Sequence, residues 1–314
     1  MLGRSANGIY WMSRYLERAE NTARLLDVGF RLALTRGAQA ASEEWRSVLV
    51  TIGQDLAYSE RFEDYTGSQV FNFILRGPEN PASLLGMLAN ARGNARTVRN
   101  ALTREAWEAT NESWMVLREM LVRPVREGNL GEVIAAIRRQ MTLVRGALDG
   151  TMLRNEIFNF ARIGTFIERA DNTARILDVK YYVLLPSLSW VGSSLDNAQW
   201  ETVLRSVAGD RAYRWLNAGR LDPRGIAQFL ILDGRFPRSL VFSYEKLASN
   251  MAGLARQYGG ETGAHQLLHA ARTKLTGATI ERIVDRGLHE FIAEFIADTI
   301  RIDQAICAEY RFTE

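Results

Sequence analysis

Glu17, Arg18, Asn21 and Arg24 stand within the segment ERAENTARLLDV, and Glu168, Arg169, Asn172 and Arg175 within ERADNTARILDV, 151 positions later. Ten of the twelve positions are identical; the other two exchange Glu for Asp and Leu for Ile. Arginine forks grip carboxylate or phosphate groups through two parallel hydrogen bonds, and asparagine adds a neutral donor. Arg18, Asn21, Arg24, Arg169, Asn172 and Arg175 are therefore candidate ligand-binding residues, suited to holding a carboxylate or a phosphate. Glu17 and Glu168 are the candidate catalytic bases, placed to orient the arginines or take a proton. The same residues also suit a structural use. Glu20–Arg24 and Asp171–Arg175 are spaced i, i+4 and can pair along one helix, for about 0.2–0.5 kcal/mol each on an exposed surface. Packing alone demands an apolar stripe and not these polar positions, so both readings stay open.

A helix must carry the motif. Met12, Leu16, Ala19, Ala23 and Leu26 form one narrow stripe at helical spacing, repeated by Ile163, Ile167, Ala170, Ala174 and Leu177. Glu17, Asn21 and Arg24 lie away from that stripe, with Arg18 flanking them. Trp11 and Tyr15 add a second apolar edge, with Phe166 at the position of Tyr15 in the second copy. A polar strip between two apolar flanks predicts a central helix whose strip faces a shared interior or cleft.

The repeat continues beyond the motif. Trp45, Val48, Leu49, Asp55, Ala57 and Tyr58 match Trp200, Val203, Leu204, Asp210, Ala212 and Tyr213. Pro81, Ser83 and Leu84 match Pro237, Ser239 and Leu240. A period this long exceeds the roughly 20–50 residues of a solenoid repeat. It predicts two homologous halves, 1–150 and 151–314, packed as one compact unit. Residues 131–148 and 240–257 carry helical periodicity, and 280–306 read as one long helix with Thr299 interrupting an apolar stripe. Strand signals are nearly missing. The expected class is all-α, an internally duplicated helical bundle of about twelve helices. Pro81, Pro223 and Pro237 sit where helix starts are expected. Pro186 to Asn197 reads as a surface loop.

The composition, 47% hydrophobic and 24% charged, is that of a globular chain. No apolar run approaches the roughly 20 residues that span a bilayer, and the N-terminus lacks the apolar core of a signal peptide. One cysteine, Cys307, excludes an internal disulfide framework and fits a reducing cytosol, so a cytoplasmic location and no membrane partner are expected. Arginines outnumber lysines, yet the net charge is only +3, and nucleic acid is not an expected partner.

The remaining candidates read as structure. His265 and His269 are spaced i, i+4, but zinc needs a third ligand, and Gln266 stands where HExxH has its glutamate. Cys307, in an apolar helix, reads as a small buried hydrophobe. No phosphate-binding glycine loop or GxSxG elbow appears. No metal and no cofactor are expected.

The segments YWMSRYLERAENTARLLDV and FARIGTFIERADNTARILDV, carrying Glu17-Arg18 and Glu168-Arg169, resemble the bacterial alpha-E family, an all-helical domain with a Glu-Arg motif. The resemblance covers essentially the whole chain. It implies a setting beside, or fused to, a circularly permuted ATP-grasp protein, with a transglutaminase-like peptidase nearby. The implied function is a helical partner or substrate-presenting component of an ATP-grasp amide or peptide ligase system, concerned with peptide modification. An acyl or aminoacyl transferase of the same pathway is the first alternative, and an RNA-binding protein the second.

Overall fold

The alternation of apolar and polar faces around the motif folds into α1 (Gly3–Leu34), the longest helix among the described residues. The structure, a computed structural model, describes residues 3–34, 38–182 and 194–312. Among these residues all regular structure is helical, in fifteen α-helices and one short 3-10 turn at Arg99–Ala101. After α1 come α2 (Ala38–Thr51), α3 (Asp55–Ser59), α4 (Gly67–Arg76), α5 (Leu84–Thr97), α6 (Arg104–Leu121) and α7 (Glu127–Thr151). Then follow α8 (Glu156–Tyr182), α9 (Ser194–Ser206), α10 (Asp210–Leu216), α11 (Pro223–Leu232), α12 (Leu240–Tyr258), α13 (Gly263–Thr276), α14 (Ile280–Arg286) and α15 (Leu288–Glu309). Fifteen exceeds the expected dozen because α3, α10 and α14 are only five to seven residues long, too short to show a periodicity. No helix of the described residues is long and apolar enough to cross a membrane. The chain divides into two compact units, Met1–Thr165 and Phe166–Glu314, and the boundary falls within α8.

In the first unit α1 is central, packed by α2, α4, α5 and α7, with α6 closing against α5 and α7. In the second, α12 packs on α11 and α13, and α15 on α13 and α14. The repeated tryptophan–tyrosine block is core in each unit. Trp45 and Trp200 are buried, and Tyr58 donates its hydroxyl to the Asp64 carbonyl at 2.7 Å as Tyr213 does to the Asp222 carbonyl at 3.3 Å. Burial, then the neighbouring Tyr65 and Asp64, push the Tyr58 hydroxyl up to about 12, so it stays a neutral donor. Burial likewise raises Tyr213.

Pro223 occupies the first turn of α11, as expected. Pro81 and Pro237 instead precede serine N-caps by two residues. Ser239 Oγ accepts the Phe242 N–H at 3.0 Å while donating to the Asp233 carbonyl at 2.7 Å, and it is fully buried. Ser83 Oγ only accepts, from Gly86 N–H at 3.3 Å. Ser239→Ala should therefore cost about 1–2 kcal/mol, more than Ser83→Ala, as read from urea midpoints. Equal costs would show that the bridge to Asp233 adds nothing.

Two expectations are corrected. The helix read over 280–306 is broken at Gly287, whose φ of 106° no helix accommodates. Beyond the break the buried stripe changes register, running through Ile280 and Ile283, then Leu288, Ile292, Phe295, Thr299, Ile302 and Ile306. Thr299, the polar interruption, shares a 2.7 Å hydrogen bond with the buried Tyr244 hydroxyl. Of the loop read over 186–197, residues 186–193 lie outside the described residues, and 194–197 open α9.

Candidate functional site

In the first unit the neighbours of α1 close over both its apolar stripe and its polar strip. Met12, Leu16, Ala19, Ala23 and Leu26 are buried, and so are Glu17, Glu20 and Asn21. Arg18 and Arg24 are half-buried. Glu20, 1% exposed, is the hub. Its Oε1 accepts from Arg24 Nε at 3.0 Å and Nη2 at 2.6 Å, one turn along α1. Its Oε2 pairs with Arg145 of α7, whose Nη2 also stands 3.8 Å from Glu17 Oε2. Two turns further on, Arg138 of α7 stands 4.0 Å from Asp27, which also pairs with Arg31 at 3.0 Å. Burial and the nearby Arg24 charge push the Arg138 guanidinium below its ordinary range, against the pull of Asp27. The strip is thus an ion-pair ladder between α1 and α7.

Sequence does not single out Arg145 and Arg138, because 131–148 shows only an apolar periodicity. The signal that finds them is a spacing. Glu20 and Asp27 are seven apart on α1, Arg138 and Arg145 seven apart on α7, and a run of two helices side by side brings such pairs into register.

Beside Glu17 lies a cavity of about 30 Å³, walled by Ser13, Glu17, Arg145, Arg162 and Thr165 among apolar side chains. Ser13 Oγ is buried and has no protein hydrogen-bond partner. Arg162 is held by Asp149 at 3.1 Å. The space admits a water-sized molecule and no amino acid. The first unit also includes a very close backbone approach: a Cβ at Gly164 would overlap the Tyr10 carbonyl oxygen.

On α8 the stripe Ile163 to Leu177 is likewise buried, as are Glu168 and Arg169 of the second unit. Arg169 donates to the Pro237 carbonyl at 3.2 Å and lies 5.1 Å from the centre of the Phe166 ring. Thr173 donates to the Arg238 carbonyl at 2.9 Å, so the helix is tied to the turn preceding α12. Asp171 and Arg175 pair at 2.7 Å, with the Arg175 side chain 43% exposed. Asn172 is half-buried. The motif residues therefore split. Glu17 and Arg24 join one network through Glu20 and Arg145, whereas Arg169 is committed to a turn and Arg175 stands at the surface.

His265 is 7% exposed, and both its ring nitrogens are engaged. Nδ1 accepts the Thr262 N–H at 3.0 Å, and Nε2 meets the Met251 carbonyl at 2.8 Å, which describes a structural histidine. His269 is exposed. Among the described residues no cluster of three or more His, Cys, Asp or Glu is placed to hold a metal. Cys307 is half-buried, not buried as expected, and its thiol lies 3.8 Å from Asp303 Oδ1. His289 Nδ1 meets Asp178 Oδ1 at 2.6 Å, tying α15 to α8.

A family model described as a predicted alpha-helical domain with a conserved ER motif matches residues 1–310. Uncharacterized proteins of Mycobacterium bovis and of two strains of Mycobacterium tuberculosis are each 22% identical over 315 aligned positions, which cover 94% of this chain. The chain spans only 35% of the length of these relatives. No solved structure matches it.

Proposed function

We propose a role for this chain from the premise that it belongs to the Alpha-E family: it is a non-catalytic helical partner of a circularly permuted ATP-grasp amide or peptide ligase, and it presents a peptide or amino-acid substrate to that enzyme from the half-exposed side of α8 around Arg175, not from the closed strip of α1. A transglutaminase-like peptidase acts in the same cytoplasmic system. The observation that carries this reading is the closure of the motif strip. Glu20 is ion-paired to two arginines, and the cavity beside Glu17 holds about 30 Å³. A transferase needs its base within reach of an acyl donor, and that space admits none. Length fits as well, since relatives carry the matching region as about a third of longer chains, as a component of a larger assembly would be. RNA binding is disfavoured by arginines paired to carboxylates along the strip, where phosphate binding wants them uncommitted.

The test is co-purification with the ATP-grasp protein encoded beside this chain, followed by ligase assays with and without it. A stable complex and a ligation rate changed several-fold are expected. The half-exposed Arg175 offers a variant outside the closed strip, and Arg175→Ala should leave the melting temperature within about 1 °C while lowering ligase stimulation. No complex and no change in rate would overturn the proposal.

A further inference from the structure

The break at Gly287 has a geometric product. With the expected long helix split, α13, α14 and α15 meet at a three-sided corner instead of as two parallel rods. The corner lines a half-open cavity of about 410 Å³, within the 300–1,000 Å³ typical of small-molecule sites. Its walls are mainly apolar, with Leu275, Ile283, Phe291 and Phe295 supplying the bulk. Gly287 itself has φ 106° and the Glu290 carboxylate where a Cβ would stand, so the corner depends on glycine there.

The rim is charged, and its charges are unequally committed. Glu294 pairs with Lys274 at 3.1 Å and with Arg286 at 2.8 Å. The hydrogen bond from Lys274, chiefly, holds the Glu294 carboxyl below the usual range, and it in turn raises Lys274. Asp298 pairs with Lys274 at 3.5 Å and with Arg301. Both carboxylates of the lining are thus neutralised. Arg282, on exposed surface at the mouth, has no ion-pair partner among the described residues. An apolar chamber with one uncommitted guanidinium at its opening is complementary to a carboxylate on an apolar body. An organic cation would meet three cationic side chains there, and inorganic phosphate would leave the apolar walls without a partner.

We propose that this corner of the second unit is a binding site for a small apolar-bodied carboxylate, an aliphatic or aromatic acid whose tail lies against Phe291 and Phe295 and whose carboxylate is gripped by Arg282. The proposal stands apart from the ligase role, since it uses no motif residue. Octanoate titrated calorimetrically into the purified chain should bind saturably, and octylammonium of the same tail should not. Methyl resonances of Leu275 and Ile283 should shift in the same titration, while those of Leu16 in α1 stay put. Arg282→Ala, at an exposed position, should keep the melting temperature and weaken octanoate about tenfold, the loss of one charge-assisted contact. No saturable binding of octanoate, equal binding of octylammonium, or an unchanged affinity in Arg282→Ala would each overturn the assignment.

Discussion

Gly164→Ala is expected to destabilise the chain by about 2 kcal/mol, against the sign that helix propensity alone predicts. Gly164 lies inside α8, where alanine ordinarily gains up to about 1 kcal/mol over glycine. Here the added Cβ would overlap the Tyr10 carbonyl oxygen and stand 3.2 Å from the carbonyl carbon. That obstacle is backbone, and Tyr10 is fully buried in a helix packed on every side, so it cannot swing away as a side chain would. Overpacking of this kind costs about 1–3 kcal/mol and sometimes more, which outweighs the propensity gain. Gly146→Ala in α7 is the control, because nothing lies within 4 Å of a Cβ there. It should stabilise by up to about 1 kcal/mol. Thermal melts of the two variants should move in opposite directions. Both moving upward would show that the Tyr10 carbonyl does not approach α8 as described.

The all-α class and the two motif helices were legible because their signals are local. Each buried stripe from Met12 to Leu26 and from Ile163 to Leu177 is written at three- and four-residue spacing, and nothing distant is needed to read it. The pairs Glu20–Arg24 and Asp171–Arg175 were legible for the same reason. Arg145 was not. It lies on α7, more than a hundred residues from Glu20, among other arginines of that helix such as Arg138 and Arg139. Which of these turns inward depends on how α7 lies against α1, a tertiary fact. The break at Gly287 was hidden because one glycine costs a helix only about 1 kcal/mol, and apolar residues continue at helical spacing on both sides. Ile283 and Ile292, buried on either side of the break, belong to two separate helices, which a continuous apolar periodicity conceals. The half-burial of Cys307 was missed because it lies one position from the buried Ile306, beside the stripe and not on it.

Glu20→Gln should lower stability by roughly 2–4 kcal/mol. The carboxylate is 1% exposed and is the shared counter-charge of Arg24 and Arg145, so its neutral replacement leaves two guanidinium groups facing each other across a buried amide. Breaking a fully buried pair costs about 3–5 kcal/mol. Partial exposure of the two arginine side chains, 15% and 31%, lets water take up some of that loss, which sets the lower figure. The surface pair of the second unit gives the contrast. Asp171→Asn should cost under about 1 kcal/mol, since the Arg175 side chain is 43% exposed and water takes up part of the lost pairing. Replacing the core of the ladder with apolar groups, Glu20→Met together with Arg145→Met, should restore most of the stability lost by Glu20→Gln, because the desolvation cost of both charges goes with them. The double variant also separates the two uses of the motif. If it folds well and still stimulates the ligase, the ladder serves only to hold α1 against α7. If it folds well and stimulation is gone, the charges themselves meet a partner or substrate, and the ion pairs must open to let them do so. A single Glu20→Gln variant with an unmoved melting temperature would remove the structural account of the strip altogether.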